Sequence, residues 1–245
     1  MQLKGKKVFI TGGTGGIGKP LVAMLCDAGA IVDVYDRSKD GDLYENIDSV
    51  CAKLAKDMPD ILINMAAINH FEYAENQDYA NMLHTNLLVP MRLTQVVLPY
   101  MKEKNAGQIV NIGSMVGLIP LPHNTGYAAT KAGLKGFNDA LRRELSGTDI
   151  NVTLILPRAV KTAMNEGSQN SLLQKTGVKA DAPEFVARKI LAAIINDKKE
   201  CRIGPPEKIF AFLNANMPAI IDKGLVDKRK VGEQILNQKR KGAVS

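Results

Sequence analysis

The chain has 245 residues, a net charge of +7 and 45% hydrophobic residues. This composition suits one large α/β domain with a buried core and excludes a disordered or collagen-like chain. No apolar run approaches the roughly 20 residues of a membrane-spanning helix, and we expect no signal peptide because an apolar segment begins almost at once. The three cysteines are widely spaced, so we expect no metal site, no disulfide framework and a reducing, cytoplasmic location.

The positive charge is concentrated near the C-terminus. Residues 222–245 hold seven Lys or Arg residues against three Asp or Glu residues, which accounts for +4 of the +7. No nucleic-acid-binding motif and no interleaving of aromatic and basic residues accompanies this charge. We therefore expect no nucleic-acid partner, and a solvated basic surface that attracts anionic ligands in general.

Short apolar runs alternate with longer helical patterns up to about residue 204. Most runs are rich in Val, Ile and Leu without polar alternation, which is typical of parallel strands buried on both faces. The pattern predicts a doubly wound parallel sheet in a three-layer α/β/α arrangement, as a single domain over residues 1–204. The predicted strands are Val8–Thr11, Ile31–Asp36, Ile61–Ala66, Gln108–Ser114, Asn151–Pro157 and Cys201–Gly204, and the predicted helices are Gly16–Ala28, Tyr79–Glu103, Thr125–Leu145 and Pro183–Asn196.

Two segments depart from the regular alternation. The stretch from Asp36 to Ile61 is too short for a full helix–strand–helix excursion, so we expect it to be trimmed. Residues 205–245 form a C-terminal extension, in which apolar residues recur at helical spacing from Ile209 to Ile221 before the basic tail. We expect this helix to pack on the domain or at a subunit interface. A weak contact with a membrane surface, or with a lipophilic substrate, is the alternative.

A glycine-rich turn, Thr11-Gly12-Gly13-Thr14-Gly15-Gly16-Ile17-Gly18, lies between the first strand and the first helix. Glycines let a pyrophosphate approach backbone N–H groups at the positive end of a helix. Asp36 ends the second strand 18 residues after Gly18, where a carboxylate accepts hydrogen bonds from ribose hydroxyls. This order predicts a Rossmann-type dinucleotide site. A triphosphate-binding P-loop is excluded, because Pro20 stands where its Ser or Thr is needed.

Tyr127 and Lys131 are four residues apart, so a helix places both on one face. A phenol with a pKa of about 10 is a poor acid–base catalyst near neutral pH, and a nearby ammonium lowers that pKa. Ser114 follows a predicted strand at the carboxyl edge of the sheet, where its hydroxyl is placed to hold a substrate oxygen. These three residues are the candidate catalytic group.

Together these motifs resemble those of the short-chain dehydrogenase/reductase family, over roughly residues 5–204. The family's glycine motif matches Thr11, Gly12, Gly16 and Gly18, and its Y-x-x-x-K matches Tyr127 and Lys131. Its catalytic serine and asparagine match Ser114 and Asn86, and its N-N-A-G matches Asn64-Met65-Ala66-Ala67.

The resemblance implies an NAD(P)-dependent oxidoreductase that acts on an alcohol or carbonyl group, in which Tyr127 exchanges a proton with the substrate oxygen. It implies that Lys131 lowers the pKa of Tyr127 and binds the nicotinamide ribose, that Ser114 positions the substrate oxygen, and that Asn86 holds a water on the proton path. The cofactor-binding residues that it implies are Gly12, Thr14, Gly16, Ile17, Gly18, Asp36, Arg37, Asp42, Leu43, Asn64, Ala66, Tyr127, Lys131, Pro157, Val160 and Thr162.

Some residues depart from the family pattern or set the choice of cofactor. Arg158 replaces a glycine next to Pro157, and we consider it as a cation for an anionic substrate. Asp36 favours NAD, because its carboxylate repels a 2′-phosphate. NADP is the alternative, since Arg37 follows directly and Lys19 is near.

The substrate is less well defined than the chemistry. The family's substrate loop corresponds roughly to residues 163–181, whose mixture of side chains selects no substrate class, although a lipophilic alcohol or ketone agrees with the apolar 209–221 segment. The alternatives are a reductase of carrier-bound 3-ketoacyl groups and a catalytically silent NAD-binding regulatory or scaffold protein. The resemblance also implies a homodimer or homotetramer.

Overall fold

The computed structural model describes residues 1–242 and contains one six-stranded sheet. Every neighbouring pair of strands is parallel, and the strand order is β2-β1-β3-β4-β5-β6. The predicted doubly wound parallel sheet is confirmed, and all six predicted strands are present with ends shifted by no more than two residues. The strands are β1 Lys7–Thr11, β2 Ile31–Tyr35, β3 Ile61–Asn64, β4 Gly107–Ile112, β5 Ile150–Leu156 and β6 Glu200–Arg202.

Helices cover both faces of the sheet. The predicted helix over Tyr79–Glu103 is not regular, because the π-helical turn His84–Leu88 separates its first part from its second. The helices are α1 Gly18–Asp27, α2 Arg37–Asp40, α3 Leu43–Asp57, α4 Tyr79–Leu83, α5 Val89–Lys104, α6 Thr125–Glu144, α7 Ser168–Lys175, α8 Pro183–Ile195, α9 Pro205–Asn216 and α10 Pro218–Gly242.

The stretch between Asp36 and Ile61 is trimmed as expected, since none of its described residues forms a strand. It holds α2 and the 15-residue α3 instead. Asp42 caps α3 by accepting a hydrogen bond from the Tyr44 N–H at 2.8 Å. Ile47 and Leu54 lie on the buried face of α3. The capping Asp and the apolar repeat are both visible in the sequence, although this helix was not predicted from them.

The core has two apolar layers, one on each face of the sheet. Ile61 and Ile63 of β3 pack with α1 and α8, whereas Leu62 between them packs with α3 and α5 on the other face. Successive strand residues point to opposite faces, so a strand covered on both sides has no polar position. This explains why the strand runs of the sequence show no alternation.

The C-terminal extension forms two helices, so the single helix expected over Ile209–Ile221 is wrong. Helices α9 and α10 are bent by 117° at the break between them. Proline disfavours helical geometry in the residue before it, and Met217 precedes Pro218, the first residue of α10. The basic tail is itself helical up to Gly242, and its last three residues, 243–245, lie outside the described part of the chain.

Within residues 1–242, no single helix has the length and apolarity needed to cross a membrane. Only α9 and α10 taken together reach that length and composition, and they are sharply bent.

A central strand and an edge strand of the sheet give a matched stability test. Ile63 is fully buried, whereas Ile31 on the edge strand β2 is 62% exposed. We expect Ile63→Ala to lower the free energy of unfolding by about 2–5 kcal/mol, because a cavity remains after the lost burial. The same change at Ile31 is expected to cost less than about 1 kcal/mol. Urea denaturation of both variants measures the difference, and equal losses would contradict the layered core.

Candidate active site

The loops that follow β1, β3 and β5 meet at the carboxyl edge of the sheet. The Thr11 hydroxyl accepts hydrogen bonds from the N–H groups of Met65 and Ala66, each at 3.2 Å. Gly12 has a φ of +75°, and a Cβ there would lie 2.8 Å from the Ala66 nitrogen. A Cβ at Gly16 would lie 2.6 Å from Cγ2 of Thr162. The structure therefore brings the predicted cofactor residues of three separate loops together.

This glycine-lined hollow fits the pyrophosphate of a dinucleotide. No side chain caps the N-terminus of α1 at Ile17, and its first turn holds no acidic residue. Lys19 already donates its N–H to the Gly15 carbonyl at 3.0 Å and Pro20 has none, so the positive end of the helix dipole is what this end of α1 offers to an anion. Thr14 is exposed on the same loop, beside Gly16 and Gly18.

The four residues expected around the adenosine lie just after β2. Asp36 caps α2, and its Oδ1 accepts from the Ser38 N–H at 3.0 Å and from the Ser38 hydroxyl at 2.8 Å. These bonds hold the pKa of Asp36 below its ordinary value, so the carboxylate is charged. Arg37 lies 3.8 Å from the carboxylate of Asp42. Leu43 is buried in the core, so its side chain is turned away from this surface.

Ser114, Tyr127 and Lys131 are also brought together. Ser114 caps a short 3₁₀ turn, accepting from the Val116 N–H at 3.1 Å, and it is hydrogen-bonded to the Tyr127 hydroxyl. The Lys131 ammonium lies 5.6 Å from the centre of the Tyr127 ring. The turn packs tightly on α6, since a Cβ at Gly117 would be 2.8 Å from the Lys131 carbonyl carbon. This close approach fixes the serine against the tyrosine.

Burial, more than mutual attraction, sets the protonation of this pair. Burial raises the pKa of Tyr127 to about 12, and the hydrogen bond with Ser114 opposes that rise. Burial also lowers the pKa of Lys131 to about 8, while its ammonium donates to the Ile112 carbonyl at 2.9 Å. The expectation that Lys131 lowers the pKa of Tyr127 is therefore not met, because burial raises that pKa above its ordinary value. The phenol is protonated at neutral pH.

Asn86 lies in the π-helical turn and is fully buried. Its amide nitrogen donates to the Ile68 carbonyl at 2.8 Å and to the Thr130 hydroxyl at 3.1 Å, and its oxygen accepts from the Ile68 N–H at 2.8 Å. Both amide hydrogens are thus engaged, so the side chain has no donor left for a water on the proton path. The side chain joins the loop after β3 to α6.

A buried row of asparagines crosses the middle of the sheet. Asn64 stands level with Asn111 across β3 and β4 and donates to it at 2.9 Å, and Asn111 donates to Asn138 of α6 at 3.0 Å. The amide nitrogen of Asn64 is therefore committed to this row, whereas its Oδ1 is buried and has no hydrogen-bond partner among the described residues. Asn111 and Asn138 were missed, although a polar residue within an otherwise apolar strand run was visible in the sequence.

The segment after β5 lies against the Ser114 turn. The Pro157 carbonyl accepts from the Met115 N–H at 2.9 Å, and the Val160 carbonyl accepts from the Asn165 amide at 2.7 Å. Thr162 faces the glycine loop through the contact with Gly16.

The hypothesis that Arg158 is a cation for an anionic substrate is wrong for this structure. Its guanidinium makes two hydrogen bonds to Asp181, at 2.9 and 2.7 Å, and lies 3.4 Å from Glu207. Main-chain bonds from Asp181 to Ala159 and from Lys161 to Asp181 lie beside this ion pair. Arg158 therefore clamps the two ends of the 163–180 segment together and holds the start of α9 on them.

Comparison with known proteins identifies the family. The family model described as short chain dehydrogenase matches residues 42–172. The chain is 33% identical to the ketoacyl reductase HetN of Nostoc sp. over 230 residues, covering 81% of this chain and 78% of that protein. It is 32% identical over 199 residues to the 3-oxoacyl-[acyl-carrier-protein] reductase FabG of Thermotoga maritima, covering 68% of this chain and 78% of that protein.

A solved structure shares the fold. It is a short chain dehydrogenase from Burkholderia cenocepacia in complex with NADP, with a TM-score of 0.80 and 22% identity, covering 92% of this chain and all of that one. The glycine-lined hollow, the group of Ser114, Tyr127 and Lys131, and the similarity to these relatives lead to one conclusion. The chain belongs to the short-chain dehydrogenase/reductase family, and is an NAD(P)-dependent oxidoreductase of alcohol and carbonyl groups.

Proposed function

We propose that Tyr127 is the general acid and base for hydride transfer between a nicotinamide cofactor and an alcohol or carbonyl substrate. The observation that carries the proposal is the placement of Ser114, Tyr127 and Lys131 beside one another, with the Lys131 ammonium 5.6 Å from the Tyr127 ring, at the same sheet edge as the glycine loop. The nicotinamide, when bound, supplies or accepts the hydride. The chain's own residues hold the substrate oxygen and move its proton.

Each of the three side chains has a distinct role in this proposal. The Ser114 hydroxyl donates to the substrate oxygen and stabilises the charge that develops on it. Tyr127, protonated at neutral pH because burial raises its pKa to about 12, donates its proton to that oxygen in carbonyl reduction. Lys131, whose pKa burial lowers to about 8, is mostly charged at neutral pH and stabilises the phenolate left behind.

We propose NAD as the preferred cofactor. The Asp36 carboxylate follows β2, is ionised, and is held in place by Ser38, so it accepts from ribose hydroxyls and repels a phosphate in their place. Arg37 is directed towards Asp42, which weakens it as a phosphate ligand. NADP remains the second candidate because the guanidinium is exposed.

A second candidate substrate is a carrier-bound 3-ketoacyl group. The two relatives named above are a ketoacyl reductase and an acyl-carrier-protein-dependent 3-oxoacyl reductase. The net charge of +7 suits an acidic carrier protein. Turnover of a 3-ketoacyl thioester compared with that of simple ketones separates this candidate from a general alcohol or carbonyl substrate.

We further propose a homodimer or homotetramer in the cytoplasm. Support for assembly comes from apolar side chains exposed along α4 and the π-helical turn, where Leu83 is 45% and Leu88 is 43% exposed. A weak contact with a membrane surface is supported by Phe210 and Phe212 on α9, which are 49% and 66% exposed beside the basic tail.

Replacing Tyr127 by Phe removes the proton donor and leaves the ring in place. We expect kcat to fall about 100-fold or more, while NADH binding changes little. Steady-state assays and fluorescence titration with NADH measure the two effects. Tyr44→Phe, at an exposed position, is the matched control and should keep full activity. A Tyr127→Phe protein that retains more than a few per cent of wild-type turnover would contradict the assignment.

The choice of cofactor is tested at Asp36. We expect Asp36→Ala to shift the ratio of NADH to NADPH affinity by about 10-fold towards NADPH, because a charge that repels the phosphate is lost. Asp33→Ala removes a carboxylate from the same strand that already pairs with Lys53, and it should leave the ratio unchanged. Calorimetric titration gives both affinities. If the ratio stays the same in Asp36→Ala, another residue selects the cofactor.

The buried Lys131 should reduce stability at neutral pH. Its pKa is about 8 in the folded chain and 10.5 when unperturbed, so between these values the unfolded chain binds a proton that the folded chain has lost. The stability of the wild type therefore rises with pH across this window. We expect Lys131→Met to be inactive but more stable than the wild type at pH 7, by about 3 kcal/mol.

This gain should shrink at about pH 9.5, as the wild-type lysine loses its charge. Urea denaturation at both pH values measures it. Lys135→Met, one turn further along α6 where the lysine pairs with Asp139, is the control and should show no such gain. A gain for Lys131→Met that is constant with pH would argue against a buried ammonium.

A further inference from the structure

Residues 157–162 connect the two halves of the proposed site. At one end, the carbonyl of Pro157 is hydrogen-bonded at 2.9 Å to the main chain of the turn that Ser114 caps. At the other end, Thr162 contacts the glycine loop at Gly16. A dinucleotide whose pyrophosphate lies on that loop, and whose nicotinamide reaches Ser114, has to pass along this segment. The conformation of the segment therefore determines how the nicotinamide end of the cofactor is held.

The middle of this segment is bound to Asp181. The Asp181 N–H donates to the Ala159 carbonyl at 2.9 Å, and the Lys161 N–H donates to the Asp181 carbonyl at 3.0 Å. These two bonds form one parallel bridge between Val160 and Asp181, outside the six-stranded sheet. Because the bridge uses the groups on either side of Val160, the main chain of Val160 itself is turned to the opposite side. Asp181 therefore sets the orientation of this predicted cofactor residue.

Arg158 fixes the side chain of Asp181 in one geometry. Its Nε and Nη2 donate to the two carboxylate oxygens at 2.9 and 2.7 Å, a paired arrangement that permits little rotation. The remaining guanidinium nitrogen, Nη1, lies 3.4 Å from Glu207. The Arg158 side chain is 27% exposed and that of Asp181 is 11% exposed. A Cβ at Gly204 would lie 3.0 Å from Cδ of Arg158, so the pair is closely packed and largely shielded from water.

The length of chain between the two sides of the bridge makes this side-chain pair important. The bridge joins Val160 to Asp181, so its two main-chain bonds close a loop of about 20 residues, which carries an entropic cost. The ion pair joins the same two segments at the base of that loop and opposes its opening. Arg158 stands where the family pattern has a glycine, which has no side chain to do this. The link is therefore a property of this chain.

We propose that Arg158 is a positioning residue for the nicotinamide end of the cofactor, and that by fixing Asp181 it holds the main chain of Val160 in the orientation that the cofactor requires. The proposal rests on the function proposed above and extends it to a residue outside the catalytic group. Arg158 acts through Asp181, because its guanidinium is engaged by two carboxylates. The adenosine end, beside Asp36, lies on other loops and is independent of this pair.

The proposal is tested by comparing NADH with ADP-ribose, which has the adenosine and the pyrophosphate but no nicotinamide. Calorimetric titration gives both affinities. We expect Arg158→Met to weaken NADH binding about 10-fold and ADP-ribose binding less than about twofold. Arg158→Lys keeps the charge without the paired hydrogen bonds and should recover part of the loss. Arg92→Met, which removes an arginine from an exposed ion pair with Asp48, is the matched control and should behave as the wild type.

A second variant tests whether Arg158 acts through Asp181. We expect Asp181→Ala to cause the same selective loss of NADH affinity, and the double variant Arg158→Met/Asp181→Ala to lose no more than either single variant, because one contact is removed in all three. Additive losses would overturn the proposal, since they would show two independent effects.

The selectivity of the loss separates positioning from a general effect on the fold. Equal losses of NADH and ADP-ribose affinity in Arg158→Met, or an NADH affinity that is unchanged, would overturn the proposal. The same comparison is made with NADPH and 2′-phospho-ADP-ribose, so that the result does not depend on which cofactor the chain prefers.

Turnover of alcohols and ketones separates this proposal from the proposed function. An active wild type whose nicotinamide affinity survives in Arg158→Met would leave the function standing and refute the role of Arg158. A selective loss of nicotinamide affinity, in a protein that acts on no alcohol or carbonyl compound, would support the role of Arg158 and count against the proposed reaction. A wild type that binds none of the four nucleotides would overturn both.

Discussion

The parallel direction of all six strands is the constraint on which the site depends. Because every strand ends at the same edge of the sheet, loops that are far apart in the chain open side by side. Thr11, Ser114 and Thr162 meet there although about 150 residues separate the first from the last. Contacts too close for a side chain, such as Gly12 on Ala66 and Gly117 on Lys131, then fix the loops against each other. The positions of the catalytic and cofactor-binding residues therefore depend on these close contacts between backbone segments.

Burial at this edge has two consequences for the catalytic pair. It keeps the Tyr127 phenol protonated, and it makes the Lys131 ammonium less favourable than it would be in water. A chain selected only for stability would not place a lysine there. The clamp of Arg158 with Asp181 and Glu207 shows the opposite use of charge, since both carboxylates pair with the guanidinium and the group holds backbone segments in place.

The features that could be predicted from the sequence are those that depend on the spacing of neighbouring residues. The strand runs, the glycine loop and the pair of Tyr127 and Lys131 all have their information within a few neighbouring residues, and the structure places them as expected. Arg158 could not be understood in this way, because its partners are 23 and 49 residues away and no pattern links them. Asn86 was assigned to a water by resemblance, whereas its buried amide is bound to Ile68 and Thr130 by contacts that only the fold creates. Pro218 was a local signal for a break between α9 and α10. It was overlooked because the apolar repeat from Ile209 to Ile221 continues across it.

Helix α10 packs against segments that lie much earlier in the sequence. The Asn237 side chain lies 3.2 Å from the Tyr73 hydroxyl, across 164 residues of sequence, and Arg240 stacks on the same ring at 4.7 Å. During synthesis this helix leaves the ribosome after the strands and the glycine loop. The nascent chain can therefore form its sheet and its nucleotide-binding loops before α10 is available to pack on them. The direction of synthesis alone thus places the contacts of α10 late in folding.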